Sequence, residues 1–129
     1  MIVLDTHIWL WWINREEGKL DLKRVQTIEE EENIAVSIIS CFEVAWLERH
    51  NRITLPCDRL DWYNFALAGS GIECLPLSPS IVSCAVDLPD HHNDPHDRLI
   101  IATAIHNKAL LMSGDHKFKF YRELDGNLC

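Results

Sequence analysis

Four carboxylates, Asp5, Glu43, Asp97 and Asp115, are the residues of this 129-residue chain best placed to do chemistry. Asp5 directly follows the apolar run Ile2-Val3-Leu4, and Asp115 follows Ala109-Leu110-Leu111-Met112 across Ser113-Gly114. Glu43 closes Ser40-Cys41-Phe42-Glu43, which matches a capping box, with a helix predicted over 44–50. Asp94-Pro95 reads as an N-cap followed by proline at the first helical position. Asp97 then falls in the first turn, where free N–H groups and the helix dipole favour an anion. Oxygen donors of this kind suit a hard divalent cation, Mg²⁺ or Mn²⁺ rather than zinc. Such an ion can hold a phosphodiester, lower the pKa of a bound water and stabilise a leaving oxygen.

These acids need elements to bring them together. Short apolar runs over 2–4, 34–37, 72–75 and 109–112 read as buried strands. Helical patterns lie between them: 6–13, ended at Asn14; 20–32, with apolar Leu22, Val25 and Ile28; and 61–68, stopped by Gly69-Ser70-Gly71. Two more begin at Ser78-Pro79 and Asp94-Pro95. Strands alternating with helices make an α/β fold with a mainly parallel sheet. Ligands of such sheets bind outside the carboxyl ends of the strands, which is the address of Asp5, Glu43 and Asp115. Asp97 fits the same edge, because helices between parallel strands start there. Singly, each acid has a plain role: Asp5 as a helix cap, Glu43 as the partner of Ser40, Asp97 as a first-turn acid, Asp115 as a turn residue. Jointly, they would repel one another in a desolvated crevice, and a divalent cation removes that conflict.

One domain over 1–129 accommodates the length. A net charge of −8 argues against a protein that coats nucleic acid by charge alone. It does not oppose an enzyme that meets phosphodiesters through metal. Cys41, Cys57, Cys74, Cys84 and Cys129 are scattered, odd in number and free of any C-x-x-C, so they read as reduced, mostly buried thiols, with Cys129 exposed. No apolar run approaches the roughly 20 residues of a membrane helix. The opening residues lack a signal-peptide pattern, so the expectation is a cytoplasmic protein with no membrane partner.

Four motifs, in order, carry a family resemblance. They are Val3-Leu4-Asp5-Thr6-His7 with Leu10-Trp11-Trp12; Ser37-Ile38-Ile39-Ser40-Cys41-Phe42-Glu43-Val44-Ala45; Asp94-Pro95-His96-Asp97-Arg98-Leu99-Ile100-Ile101-Ala102; and Leu111-Met112-Ser113-Gly114-Asp115. Together they resemble PIN-domain proteins of the VapC toxin type. The resemblance implies a three-layer fold with a sheet of four or five strands. It further implies a Mg²⁺- or Mn²⁺-dependent endoribonuclease whose acids are Asp5, Glu43, Asp97 and Asp115, an RNA substrate, a cognate antitoxin and a homodimer. Phe42, Ser113 and His96 depart from the commoner residues of that pattern and leave the acids untouched.

Thr6, Asp94, Ser113 and Arg98 are supporting candidates. Thr6 and Ser113 suit water or phosphate binding as well as capping. For Arg98 an ion pair is favoured over phosphate contact. His91, His92 and His96 read as loop histidines, with a transition-metal cluster the lesser alternative. The five tryptophans read as mostly core, the Glu29–Glu32 run as a solvated helix end, and Lys108, Lys117, Lys119 and Arg122 as a solvated basic stretch. The competing function is a non-catalytic α/β module, either receiver-like or a degenerate member of the same family. A receiver would want paired acids after an early strand and a lysine after a late one; Thr6 and His7 follow Asp5, and Asp115 stands at the later place.

Overall fold

A computed structural model describes residues 1–115, 118 and 124. The elements in chain order are β1 Ile2–Leu4, α1 Thr6–Asn14, α2 Leu22–Glu30, β2 Ile34–Ser37, α3 Ile38–Arg49, α4 Arg59–Ala66, β3 Ile72–Leu75, α5 Pro79–Asp87, α6 Pro95–His106 and β4 Leu110–Met112. A short 3₁₀ turn, Ala68–Ser70, precedes β3. Among the described residues the sheet has four strands, all parallel, in the order β3-β2-β1-β4.

Successive strand residues point to opposite faces, and each face has its own core. Val3, Ala35, Leu75 and Leu111 pack with the apolar sides of α5 and α6, and with Phe118 and Leu124. Ile2, Leu4, Val36, Ile72 and Met112 pack with residues of α1, α2, α3 and α4. The result is three layers, with the short strands largely buried on both sides and only Glu73 of β3 exposed. Trp9 and Trp62 fill the second core, their rings 4.9 Å apart, whereas Trp46 is exposed and Trp11 and Trp12 are half-buried.

Side-chain caps set the helix starts. Asp5, Asp21, Ser37, Asp58, Ser78 and Asp94 each accept a hydrogen bond from a backbone N–H of the first turn. Asp58 starts α4 before the predicted residue 61. The capping box predicted at Ser40 and Glu43 does not form. Ser37 takes that role, accepting from the Ile39 N–H at 3.2 Å, and α3 begins at Ile38. Two serines three apart both satisfy the local cap rule. The sheet chooses between them, because β2 and β3 end together at the pair Ser37 and Leu75. Ser40 and Glu43 therefore lie inside α3, one turn apart on a shared face. Ser37→Ala is expected to cost about 1 kcal/mol in urea denaturation; a neutral result would return the cap to Ser40.

The acidic run is the expected solvated helix end, with Glu29, Glu30 and Glu32 exposed. α2 stops at Glu30, as its dipole disfavours acids at the C-terminus, and Glu31 instead lies 3.5 Å from the chain's amino group. Cys41, Cys74 and Cys84 are half-buried and Cys57 is exposed, so these four thiols are less deeply buried than expected. Cys129, Lys117, Lys119 and Arg122 lie outside the described residues. No helix among the described residues is long and apolar enough to cross a membrane.

Candidate active site

The strand register aligns the carboxyl edge. Leu4 pairs with Met112, and the Asp5 N–H donates to the Met112 carbonyl at 3.0 Å. Asp5 and Ser113 thus leave the sheet side by side, the Ser113 hydroxyl near enough to favour the ionised Asp5 carboxyl. Asp5 also caps α1, accepting from the Ile8 N–H at 2.9 Å. Burial pushes its carboxyl above the usual carboxylate range; the Ser113 hydroxyl and the bond from Ile8 pull the other way, and the nearby Glu43 charge adds to the rise.

Glu43 reaches the edge from α3. Its Oε1 accepts from the Thr6 hydroxyl at 2.5 Å, and the Thr6 and Ser40 hydroxyls lie 2.9 Å apart. Thr6 and Ser40 are both buried, so this small network fixes Glu43 against the start of α1. Asp94 caps α6 through the His96 N–H at 2.9 Å and leaves Asp97 in the first turn. The Asp97 carboxyl is raised to about 6, first by burial and then by the charges of Asp94, Glu43 and Asp115, with His92 opposing. Glu43 is therefore an electrostatic neighbour of both Asp5 and Asp97. All four predicted acids meet at one edge.

The tightest grouping differs from the predicted one. One ligand atom each from His92, Asp97 and Asp115 lies within 4.8 Å of the other two. Asp5 and Glu43 adjoin this trio without belonging to it. His92 is not a loose loop histidine. It is buried at 6% exposure, its Nε2 sits 3.0 Å from Asp115 Oδ2, and its ring meets Phe118 edge-on at 5.0 Å. His91 is exposed, and half-buried His96 lies over Phe42. Ser113 Oγ accepts the Asp115 N–H at 3.0 Å, which holds the last acid in place.

Arg98 makes the expected ion pair only at its margin, and its main partners are backbone carbonyls. Its five N–H donors reach five backbone carbonyls, of Ala85, Val86, Leu88, Pro89 and His92, at 2.6–3.1 Å. Its ion-pair partner, Asp90, is 3.7 Å away and 95% exposed, too solvated to contribute much. The guanidinium closes the end of α5 and anchors the loop that carries His92. Arg24 also escaped the sequence reading. Its Nη1 bonds Asp21 at 2.9 Å and its Nη2 donates to the Ser113 carbonyl at 3.1 Å, tying α2 to the segment after β4. Neither role has a local signature, since each depends on a partner in another element.

Two carboxylates and an imidazole in one cluster, with two more carboxylates alongside, form a donor set that fits a divalent cation. Among the described residues no lysine or arginine ion-pairs with Asp5, Glu43 or Asp97. The local excess of negative charge is thus left for a cation or for protons to offset.

The PIN domain family matches residues 2–124. Ribonuclease VapC22 of Mycobacterium tuberculosis is 35% identical over 122 residues, covering 94% of this chain and 92% of that protein. Two solved structures share the fold. The crystal structure of VapBC2 from Rickettsia felis, bound to a DNA fragment from their promoter, aligns at TM-score 0.69 and 21% identity, covering 100% of this chain and 98% of the other. A toxin–antitoxin complex from Klebsiella pneumoniae aligns at TM-score 0.64 and 17% identity, covering 100% and 96%. With its four-stranded parallel sheet, its acids gathered at the carboxyl edge and a match over almost its full length, the chain belongs to the PIN domain family.

Proposed function

We propose that this chain is a metal-dependent endoribonuclease, the toxin of a toxin–antitoxin pair, acting as a single domain. The observation that carries the reading is the meeting of Asp5, Glu43, Asp97 and Asp115 at one sheet edge, with ligand atoms of Asp97 and Asp115 close enough to share an ion. The relative named as a ribonuclease supports the activity, and the complex named as toxin–antitoxin supports the antitoxin partner. A Mg²⁺ or Mn²⁺ ion held here supplies an electrophilic contact for a phosphodiester and acidifies water. Asp97 and Asp115 would hold it, with Asp5 as a further oxygen donor at the same edge. Glu43, fixed by Thr6, would bind the same ion or orient a water beside it. Ser113 keeps Asp5 and Asp115 in register. RNA is the substrate and the cytoplasm the site of action.

A second copy of the chain is the further partner. Ile38, Phe42 and Trp46 of α3 and Val82 and Val86 of α5 are exposed large apolar residues. The Phe42 ring contacts His96 at the start of α6, which itself packs on α5, so these helices flank a common region. Covering such a face is a usual reason for a homodimer.

The test is cleavage of a labelled RNA by the purified protein with Mg²⁺ or Mn²⁺, and with EDTA. Cleavage that persists in EDTA would sink the metal reading. pH provides a second check. Asp97 must be ionised to bind a cation, so Mn²⁺ affinity is expected to fall as pH drops through about 6. Calorimetric titration between pH 5 and 8 measures this; a flat profile would remove Asp97 from the ligand set.

A further inference from the structure

We propose that His92 is itself a metal ligand, so that the site takes a transition ion such as Mn²⁺ in preference to Mg²⁺. The inference rests on the metal-site reading above and adds a nitrogen donor to it. Three observations support it. His92 Nε2 lies in the same 4.8 Å cluster as carboxylate oxygens of Asp97 and Asp115. Its 3.0 Å separation from Asp115 Oδ2 is the spacing of two adjacent donors on an octahedral ion with bonds of about 2.1 Å. The imidazole is also held in place, buried, edge-on to Phe118, with its own carbonyl bonded by Arg98 Nη1 at 3.1 Å. A donor that is already desolvated and oriented gives up little freedom on binding.

The chemistry sets the preference. Nε2 and Oδ2 stand at hydrogen-bond distance, which the tautomer protonated on Nε2 would use; with the imidazole proton on Nδ1, both atoms present lone pairs to the same point. Mg²⁺ favours oxygen donors and retains its waters, whereas imidazole nitrogen binds first-row transition ions more strongly. Four acids alone would favour Mg²⁺ or Mn²⁺ without distinction. One buried imidazole among them shifts the balance.

The test uses Mn²⁺ alone, added in equimolar amount to the full chain. Pulsed electron paramagnetic resonance should show a ¹⁴N coupling of directly bonded nitrogen, replaced by the ¹⁵N pattern when the histidines are ¹⁵N-labelled. His92→Asn should abolish it and lower the Mn²⁺-over-Mg²⁺ affinity ratio about tenfold, while His96→Asn keeps both. If His92→Asn does not fold, the wild-type nitrogen coupling and affinity ratio decide the matter. A histidine that only orients Asp115 gives no such coupling. Mn²⁺ bound in an Asp97-dependent way without nitrogen coupling would overturn the role of His92 and leave the nuclease reading standing. Coupling that survives His92→Asn would do the same. Failure to bind Mn²⁺ at all would overturn both.

Discussion

Asp97→Asn is expected to abolish RNA cleavage, by about 10³-fold or more, and at the same time to stabilise the metal-free protein. The loss follows from removing a charged oxygen of the proposed metal cluster. The gain follows from linkage. The folded-state pKa of Asp97 is raised from 3.8 to about 6, so the native protein holds this proton more tightly than the unfolded chain does. Its contribution to stability is present below about pH 4 and is lost as pH rises towards 6; above 6 the ionised carboxylate is a constant penalty. The full shift would correspond to about 3 kcal/mol at 1.36 kcal/mol per unit, but the side chain is partly solvated and its neighbours can move, so about 1 kcal/mol is expected. Asparagine keeps the shape without the charge. Urea denaturation in EDTA should therefore show the variant above wild type at pH 7.5, with the gap closing at pH 4. A variant that still cleaves RNA, or that is less stable at pH 7.5, contradicts the proposed role of Asp97.

Arg98→Ala should cause the largest loss of stability of the changes considered, about 3 kcal/mol, or a Tm fall of about 10 °C. Every N–H of this guanidinium meets a carbonyl, and its side chain is only 12% exposed. Three of the carbonyls, of Ala85, Val86 and Leu88, belong to the last turn and cap of α5, where a helix has no internal partner for them. Alanine leaves them without this partner, and those of buried Ala85 and Leu88 are the costly ones. Arg98→Lys should recover less than half, because an ammonium offers three donors from one point instead of a planar fork of five. Hydrogen exchange in 88–94 should accelerate in both variants. A Tm within 2 °C of wild type for Arg98→Ala would show that these carbonyls are satisfied without it.

The largest expected losses thus fall on neighbours in sequence that do unrelated work. Asp97 faces the acids, and Arg98 turns to α5. Their contrast marks the boundary between local and tertiary information. Local rules set the four strands, the starts of α5 and α6 at Ser78-Pro79 and Asp94-Pro95, and the placing of Asp5, Asp97 and Asp115 at strand and helix ends. These depend on alternation, caps and dihedral preferences within a few residues, and such features are written in order along the chain.

The rest required contacts between distant parts of the chain. The end of β2 beside β3 chose Ser37 over Ser40 as the cap. Thr6 meets Ser40 and Glu43 across 34 and 37 residues, and His92 meets Asp115 across 23. No periodicity marks His92 as buried, or tells Arg98 to prefer carbonyls to carboxylates. The acids and their sheet edge were legible in the sequence because topology alone places them there. Which donors stand close enough to share an ion was settled only by packing, since that depends on side-chain positions to within an ångström or two and on neighbours far away in the chain.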